Sequence, residues 1–275
     1  MAKNESKAAS ILWTLAVVAL ALITLFPVIW LATMMFKPDT VMFQRPTAWS
    51  FEPTLDHFKY VIESGFLGYL GQSFLLATIS TLLVVLVGTP AAYAFARFEI
   101  KGRDDLFLFI LGTRMAPPIC LVIPFYLIFS KVGLLDTFTG LTLAYLTFNL
   151  SFYVWVLRSF CRDLPVEIEE AATLEGWSRL QVMWRVVLPL LRSGIVATAV
   201  LCFIFAWNEF LFAFMLGGHE LKTLPVAIPL LITTQGVRWG EMAVVGVIAL
   251  VPVLIGVFFL QKSIVRGLTL GAVKG

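Results

Sequence analysis

Side chains that could bind a polar solute are few within the apolar runs of this 275-residue sequence. Arg114 lies inside one long apolar run, and Asn208 and Glu209 lie together inside another. These side chains could line a polar path and contact a solute, or they could pair with each other or with backbone carbonyls and hold helices together. Asn149 and Tyr153 are weaker candidates for the same roles. Residue types alone leave both interpretations open.

Cysteine and histidine, the usual ligands for transition metals, are scarce and scattered. The three cysteines (Cys120, Cys161 and Cys202) are odd in number, lie far apart and form no CxxC pair. The sequence therefore indicates neither a disulfide framework nor a thiolate metal site. Only His57 and His219 could supply an imidazole, which is too few for a zinc centre. No metal site is predicted.

Nucleotide-binding and hydrolytic motifs are absent from the sequence. A phosphate-binding loop needs GxxxxGK[ST], and the pair Lys222-Thr223 follows Leu221 where that motif requires a glycine. There is no HExxH, and no set of Ser, His and Asp suited to nucleophilic catalysis. We therefore expect a protein that is not an enzyme and that holds no cofactor of its own.

Composition predicts the elements that must position the polar residues. Of the 275 residues, 60% are hydrophobic and 13% are charged, against about 45–50% and about 25% in soluble domains. The net charge of +3 is too small and too scattered to indicate a nucleic-acid partner. Because lipid cannot hydrogen-bond an exposed backbone, long apolar runs must be helical. The sequence predicts an all-α polytopic membrane protein.

Six apolar segments are long enough to cross a membrane, and residues 1–275 are expected to form a single transmembrane domain. The first segment is interpreted as a retained span, because the charge-free stretch from Ala8 to Phe36 exceeds the ~7–15-residue core of a signal peptide. The predicted spans cover residues 11–36, 70–96, 106–130, 140–157, 194–217 and 242–260.

The lysines and arginines outside the spans predict the orientation of the chain. Thirteen lie on the side that carries both termini and six lie on the other side, with Arg114 inside a span. Because basic residues concentrate in cytoplasmic loops, both termini are predicted to be cytoplasmic. The outer segments 37–69 and 218–241 are interpreted either as ordered interfacial elements or as plain packing elements.

The segment between the fourth and fifth predicted spans has clear signals for the start of a helix. Asp163 could cap the helix, and Pro165 suits the first turn. Glu167, Glu169 and Glu170 place negative charge at the positive end of the helix dipole. These signals predict a short helix on the cytoplasmic side.

The same segment, residues 163–189, also has signals for a stop and a second start. Gly176 suits a left-handed C-terminal cap, and Ser178 with Gln181 makes a capping-box pattern for a second helix. Pro189 is predicted to end or kink that second helix. The pattern alone fits either a docking element for another protein or a well-capped connecting loop.

The motif Glu170-Ala171-Ala172, followed after three residues by Gly176 and twelve residues later by Leu188-Pro189, resembles the EAA loop of bacterial ABC importer permeases. The two alanines leave the helix narrow, so that another protein could approach closely. The tail Gly267–Gly275 resembles the C-terminus of the carbohydrate-uptake branch, the relatives of the maltose-transporter permease.

Further similarity to that branch runs through residues 91–97, 133–137 and 206–210, so the resemblance covers nearly the whole chain. It implies a type I importer permease fold of the MetI-like class with six transmembrane helices. In this family the first helix of the loop, here about residues 165–176, docks into a cleft on an ATPase subunit. The resemblance implies an ATPase-coupling role for Glu170, Ala171, Ala172, Gly176, Leu188, Pro189, Gly267, Gly271 and Gly275.

The resemblance also implies partners and a location. A separate ATP-binding-cassette ATPase dimer would hold ATP and Mg, and a second permease, a homologue or a copy of this chain, would complete the translocation path. An external solute-binding protein would deliver a sugar, a polyol or a related carbohydrate. The chain would be a multi-pass protein of the bacterial inner membrane, surrounded by lipid.

Two other classes of protein are weighed against a permease. A secondary transporter driven by an ion gradient needs paired intramembrane carboxylates and often has an inverted repeat. Glu209 is the one clear intramembrane acid in the sequence, and no repeat is found. A membrane-embedded enzyme would need a catalytic set that is missing. The ion-driven transporter is kept as the alternative.

Overall fold

The computed structural model describes the backbone of residues 2–272 and the side chains of residues 9–260. Helices account for nearly all regular structure, as a lipid environment requires. The α-helices of this part of the chain, in order, are α1 (Ala2–Met34), α2 (Asp39–Met42), α3 (Asp56–Glu63), α4 (Phe66–Arg97), α5 (Arg103–Met115), α6 (Pro118–Val132), α7 (Phe138–Asp163), α8 (Val166–Leu174), α9 (Arg179–Val182), α10 (Leu188–Trp207), α11 (Leu211–Leu216), α12 (Leu224–Ala227) and α13 (Trp239–Ala272).

Three further elements complete the fold. A π-helix, Met183–Val187, joins α9 to α10, and a 3-10 helix, Ile228–Leu231, follows α12. Strands β1 (Ile232–Thr233) and β2 (Gly236–Val237) pair antiparallel as a small hairpin. The outer segment 218–241, expected to hold an interfacial or re-entrant helix, therefore consists of several short elements.

Five stretches of the described chain are long and apolar enough to cross a membrane by themselves. The pair α5 and α6 adds a sixth crossing if it counts as one span, although the two helices are bent by 94°. Six crossings agree with the sequence prediction. The five stretches are Ala9–Met34, Phe66–Arg97, Phe138–Asp163, Arg179–Trp207 and Trp239–Leu260.

The third predicted span, residues 106–130, consists of two helices and not of one continuous helix. The chain leaves the helical conformation at Ala116 and Pro117 before α6 begins at Pro118. Proline has no backbone N–H, and its ring disfavours helix in the preceding residue, so two consecutive prolines end one helix and start another.

The fifth predicted span, residues 194–217, is also placed differently. The helical path begins at Arg179 and ends at Trp207, and α11 is a separate short helix. Arg185 interrupts the apolar run and so hides the early start from a hydropathy criterion. The chain nevertheless stays helical there because the π-helix continues α9 into α10.

The described chain clusters into two compact units, and the single domain expected from the sequence stays a prediction. The first unit contains Met1–Leu67 and Ile228–Val251. In this unit Lys37 is buried, with its ammonium group over the rings of Trp30 and Phe51. His57 is buried as well, and its Nε2 lies 3.0 Å from the Lys37 carbonyl. The outer segment 37–69 is thus folded around buried polar groups.

The second unit contains Gly68–Ala227 and Pro252–Gly275, and α7 is its central helix. This helix packs against α5, α10 and α11. Tyr145 and Tyr153 are fully buried along it, as are several leucines and valines. Gly88 of α4 lets the two helices approach closely, since a Cβ there would lie 2.5 Å from Cδ1 of Tyr153. This core holds the candidate functional residues described next.

Candidate functional site

The short helix predicted around residues 165–176 is present as α8, Val166–Leu174. Its N-terminal cap is Pro165, which makes no side-chain capping bond. The prediction that Asp163 caps this helix is wrong, because Asp163 is the last residue of α7 and Leu164 caps that helix. The fixed φ of Pro165 starts α8 without a capping side chain.

The C-terminal end of α8 is closed by a Schellman motif. The Trp177 N–H bonds to the Ala172 carbonyl at 3.2 Å, and the Gly176 N–H bonds to the Thr173 carbonyl at 3.0 Å. Gly176 has φ +91°, a conformation that side chains other than glycine adopt with strain. The predicted glycine stop is confirmed, and its physical reason is the positive φ.

The capping box predicted for the second helix is also confirmed. The Ser178 N–H donates to Oε1 of Gln181 at 2.8 Å, and the Gln181 N–H donates to Oγ of Ser178 at 3.4 Å. The helical path does not end at Pro189, and the predicted kink there stays a prediction. Pro189 lies in the first turn of α10, where a missing N–H is tolerated after the π-helix. Leu188 beside it is half-buried.

An ion pair fixes α8 to the end of α4. Nε of Arg97 lies 2.6 Å from Oε1 of Glu169, and the two side chains are only 11% and 12% exposed. The Tyr93 hydroxyl donates to Oε2 of the same carboxylate at 2.7 Å, and Arg97 also donates to the Leu164 carbonyl at 2.8 Å. Sequence reasoning assigned Glu169 to the helix dipole alone. No signal in the local pattern relates it to Arg97, because 72 residues separate them.

The outward face of α8 combines charge with exposed apolar surface. Glu170 and Ala171 are exposed, and Leu174 is 90% exposed. Ala172, in contrast, is buried in the core of the second unit, so its small size lets α8 pack against its own chain. We predicted that another protein could approach closely at both alanines. Only Ala171 is exposed to such an approach.

The three tail glycines of the predicted coupling set cannot be placed in a site. Gly267 and Gly271 fall within the backbone of α13, beyond the residues whose side chains are described. Gly275 lies outside the described residues. Their predicted role stays a prediction.

Arg114 and Glu209, both predicted candidates, line the same cavity in the second unit. This cavity, called the Arg114 cavity below, has a volume of about 270 Å³ and lies beside the break between α5 and α6. Four phenylalanines supply much of its wall, namely Phe125, Phe148, Phe205 and Phe212. The aromatic wall was not singled out from the sequence, because the phenylalanines come from four different helices.

The Arg114 guanidinium is held by a carbonyl and by aromatic rings. Its Nη1 donates to the Phe148 carbonyl at 3.0 Å. Its carbon Cζ lies 4.7 Å from the Phe152 ring centroid and 4.9 Å from that of Phe205. Among the described residues no ion pair joins Arg114 to Glu209. The predicted contact between Arg114 and a backbone carbonyl is therefore present. Arg114 also lies at the wall of the cavity.

The Glu209 carboxylate caps the N-terminus of α11. Its Oε1 accepts the Phe212 N–H at 3.0 Å and its Oε2 accepts the Ala213 N–H at 3.1 Å. Asn208 is exposed, and its Nδ2 donates to the Ile204 carbonyl of its own helix at 2.8 Å. Asn208 is not one of the cavity-lining residues.

Comparison with known proteins decides the family. The family model described as binding-protein-dependent transport system inner membrane component matches residues 85–270. The chain belongs to this family. It is a permease subunit of an ABC importer, a multi-pass inner-membrane protein and not itself an enzyme, since a separate ATPase hydrolyses ATP in this family. The resemblance found in the sequence is thereby confirmed.

Individual relatives cover the permease almost end to end. It is 36% identical to a probable ABC transporter permease protein of Sinorhizobium fredii, over 96% of this chain and 95% of the relative. It is 35% identical to the trehalose/maltose transport system permease protein of Thermococcus litoralis, over 96% and 97% of the two chains.

A solved structure shares the fold of the permease. It is a chain of a bacterial ABC transporter involved in the import of the acidic polysaccharide alginate. The TM-score is 0.78 at 22% identity, and the match covers 94% of the permease and 97% of that chain. The predicted type I importer permease fold is confirmed.

Two weaker path candidates of the permease lie away from the Arg114 cavity. Asn149 is fully buried, and its Nδ2 donates to the Cys202 carbonyl at 3.2 Å. Tyr153 is also fully buried, with its hydroxyl 2.9 Å from Oγ1 of Thr89. Of the two roles predicted for them, the contact between helices is the one present, since both bonds join helices of the second unit.

Asp136 organises a loop of the permease that sequence reasoning did not assign to a site. Its carboxylate accepts the backbone N–H groups of His219, Glu220 and Leu221 at 2.9, 3.1 and 2.9 Å. Burial raises the pKa of Asp136, but these backbone bonds, led by that of Glu220, lower it by more, so the net pKa lies below its ordinary value. Asp136 thus fixes the loop after α11.

Proposed function

We propose that this permease forms half of the translocation path for a sugar, a polyol or a related carbohydrate, and that α8 couples the path to ATP hydrolysis by a partner. The geometry of α8 is the observation that carries the proposal. The helix is closed at its C-terminal end by Gly176 and is fixed to α4 through Arg97 and Glu169. A short helix held in this way moves as one body with the membrane helix to which it is attached.

The exposed face of α8 supports a docking role. Glu170 and Ala171 present charge and a narrow backbone to the outside, and Leu174 presents an uncovered apolar side chain. An apolar residue that is 90% exposed on a capped helix suits insertion into a cleft on another protein. In this proposal the ATPase cleft receives this face, and Leu188 and Pro189 attach the loop to α10.

The carbohydrate class of solute is supported by the relatives. The Thermococcus litoralis relative, a trehalose/maltose transport system permease, matches the permease over almost its whole length. Aromatic side chains beside polar groups, as in the Arg114 cavity, suit the C–H faces and hydroxyl groups of sugars. We do not favour transport driven by an ion gradient, because the Glu209 carboxylate is engaged in capping α11.

Three partners and an orientation complete the proposal. A second permease, a homologue or a copy of this chain, would supply the other half of the path. An ATP-binding-cassette ATPase dimer would hold ATP and Mg. The family description supports an external binding protein, for which the outer segments 37–69 and 218–241 are available. Both termini would be cytoplasmic, with the tail glycines Gly267, Gly271 and Gly275 near the ATPase.

The test of this proposal is Gly176→Asp in the complete importer reconstituted in lipid vesicles. A Cβ at Gly176 meets nothing within 4 Å, so the substitution acts through the strained φ of +91° and deforms only the cap of α8. We expect solute-stimulated ATP hydrolysis and uptake to fall at least about tenfold. Insertion of the permease into the membrane should be unchanged.

Gly65→Asp is the matched control for this experiment. Gly65 also follows a helix, has φ +85°, and has nothing within 4 Å of an added Cβ. It carries the same backbone strain in the outer segment 37–69, so coupling should be retained. Normal solute-stimulated ATP hydrolysis in the Gly176 variant would contradict the assignment of α8.

A further inference from the structure

We propose that Pro189 is a positioning residue: it produces the π-helix Met183–Val187, and the extra residue in that turn sets the direction in which α8 and α9 face relative to α10. The inference rests on the proposed coupling role of α8 and specifies how the exposed face of that helix is held in its direction. The residues that carry it all belong to the second unit.

The π-helix lies within a continuous helical path. The chain is helical from Arg179 to Trp207, but the Leu188 N–H bonds to the carbonyl of Met183, five residues before it. Such a turn holds one residue more than an α-helical turn. Compared with an uninterrupted α-helix of the same sequence, the segment before the turn is therefore rotated by about 100° and shifted by about 1.5 Å along the axis.

The position of Pro189 accounts for the widened turn. In an α-helix its ring would collide with the carbonyl of the residue four positions earlier, which is Arg185, and its nitrogen would have no hydrogen to donate. Here α10 begins at Leu188, directly after the π-helix, so that Pro189 lies in a first turn, where proline is tolerated. The widened turn thus lets the helical path continue past the proline.

The packing around the turn depends on the extra residue. Val182 and Val187 are five residues apart, yet they are only 2% and 1% exposed, and both belong to the core that contains Ala172 of α8. In an α-helix, residues five apart point about 140° away from each other, so both could not face this core. The π-helix brings them to one face, because its hydrogen bonds join residues five apart.

A second contact connects the turn to the loop between α8 and α9. The guanidinium carbon of Arg185, within the π-helix, lies 5.6 Å from the ring centroid of Trp177. Trp177 packs against the same core, and its N–H bonds to the Ala172 carbonyl at the end of α8. The direction of α8 therefore depends on how many residues the π-helix holds.

The experiment places spin labels on α8 and α10 of the complete importer in lipid vesicles. The labels are attached through Leu174→Cys and Leu190→Cys, because both side chains are exposed, and the exposed Cys120 is replaced by serine. In Pro189→Ala the turn should relax to an α-helix, which changes the distance between the labels. ATP hydrolysis by the same importer should fall at least about fivefold.

Deletion of Trp184 distinguishes a change of register from a loss of structure. Trp184 is exposed within the π-helix, and without it the remaining residues fit an α-helical turn that keeps the original direction of α8. Combined with Pro189→Ala, the deletion should restore both the label distance and ATP hydrolysis. Deletion alone should impair both, since Pro189 would then lie inside an α-helix. A variant that merely misfolds would not be rescued by the loss of a further residue.

Pro27→Ala is the matched control, because Pro27 is exposed within α1, which is α-helical along its described length. The label distance and ATP hydrolysis should be unchanged in this variant. An unchanged label distance in Pro189→Ala, or a combined variant as impaired as Pro189→Ala alone, would overturn the inference. A changed distance with normal ATP hydrolysis would support the positioning role of Pro189 and contradict the proposed coupling role of α8.

Discussion

At the scale of single residues, Asp136 shows how a carboxylate can organise backbone outside the membrane spans. Its own φ of +55° is one that aspartate and asparagine tolerate better than most residues. Its carboxylate gathers three consecutive N–H groups of the loop after α11. The residue therefore fixes two turns at once, one through its backbone and one through its side chain.

Asp136→Asn is expected to destabilise the permease by about 1–3 kcal/mol, because an amide cannot accept all three N–H bonds and has no charge to strengthen them. Asparagine keeps the positive φ, so the change isolates the carboxylate. The folded pKa is depressed, so its stabilisation is complete above the ordinary pKa of the free carboxyl. It is lost as the pH falls through the depressed folded pKa.

Thermal unfolding in detergent between pH 3 and pH 7 measures this effect. The variant should be less stable than the unchanged protein at pH 7, and the difference should shrink at the acidic end. Asp105→Asn, at an exposed position, is the control and should show no such difference. A difference that stays constant with pH would contradict a charged role for Asp136.

At the scale of elements, the connection between α4 and α8 joins a candidate membrane span to the short helix of residues 163–189. Tyr93 and Arg97 lie in the last turns of α4, and both bind the Glu169 carboxylate. Arg97 also binds the Leu164 carbonyl just before α8 begins. One carboxylate therefore binds two side chains from another helix, and we expect these bonds to transmit movement of α8 to α4.

Glu169→Gln should lower the number of solute molecules transported per ATP several-fold, because it removes the ion pair with Arg97. It should also lower stability by about 1–3 kcal/mol, since the pair is mostly buried. Glu167→Gln is the matched control, at an exposed position in the first turn of the same helix. Parallel measurement of uptake and ATP hydrolysis in vesicles gives the ratio. An equal number of solute molecules transported per ATP in the Glu169 and Glu167 variants would contradict a role of the Arg97–Glu169 ion pair in transport.

The sequence predicted correctly those features that depend on residues close to one another in the chain. The glycine stop at Gly176 and the box of Ser178 with Gln181 are short-range signals, and both are present as predicted. The partners of Glu169 come from a distant helix, and no spacing rule in one sequence reveals them. The walls of the Arg114 cavity escaped prediction for the same reason. Local pattern predicts caps and helices, whereas a site assembled between helices requires tertiary structure.

At the scale of the whole molecule, the distribution of basic residues predicts the orientation in the membrane. Thirteen lysines and arginines lie on the side predicted to be cytoplasmic and six on the other. Most of those in and beside residues 163–189, including Arg162, Arg179 and Arg192, are exposed in the structure. Because exposed charge beside a membrane span resists translocation, this distribution supports the predicted cytoplasmic location of both termini.

A reporter that becomes fluorescent only in the cytoplasm is expected to report a signal when fused after Gly275. The same reporter inserted after Gln235, in the exposed turn between β1 and β2, should remain dark. Immunoblots of membranes check that both fusions are present in equal amounts. A dark C-terminal fusion together with a fluorescent inserted fusion would contradict the predicted orientation.

The bend of 94° between α5 and α6 also bears on how the protein is made. The two helices have 13 and 15 residues, so each is only about 20 Å long and falls short of a hydrocarbon layer about 30 Å thick. Arg114 adds an insertion cost of about 2.5–3.5 kcal/mol. The groups that offset this cost belong to α7 and α10, which leave the ribosome later. We therefore expect the third crossing to integrate less readily by itself, and to be stabilised in the bilayer by helices that are synthesised after it.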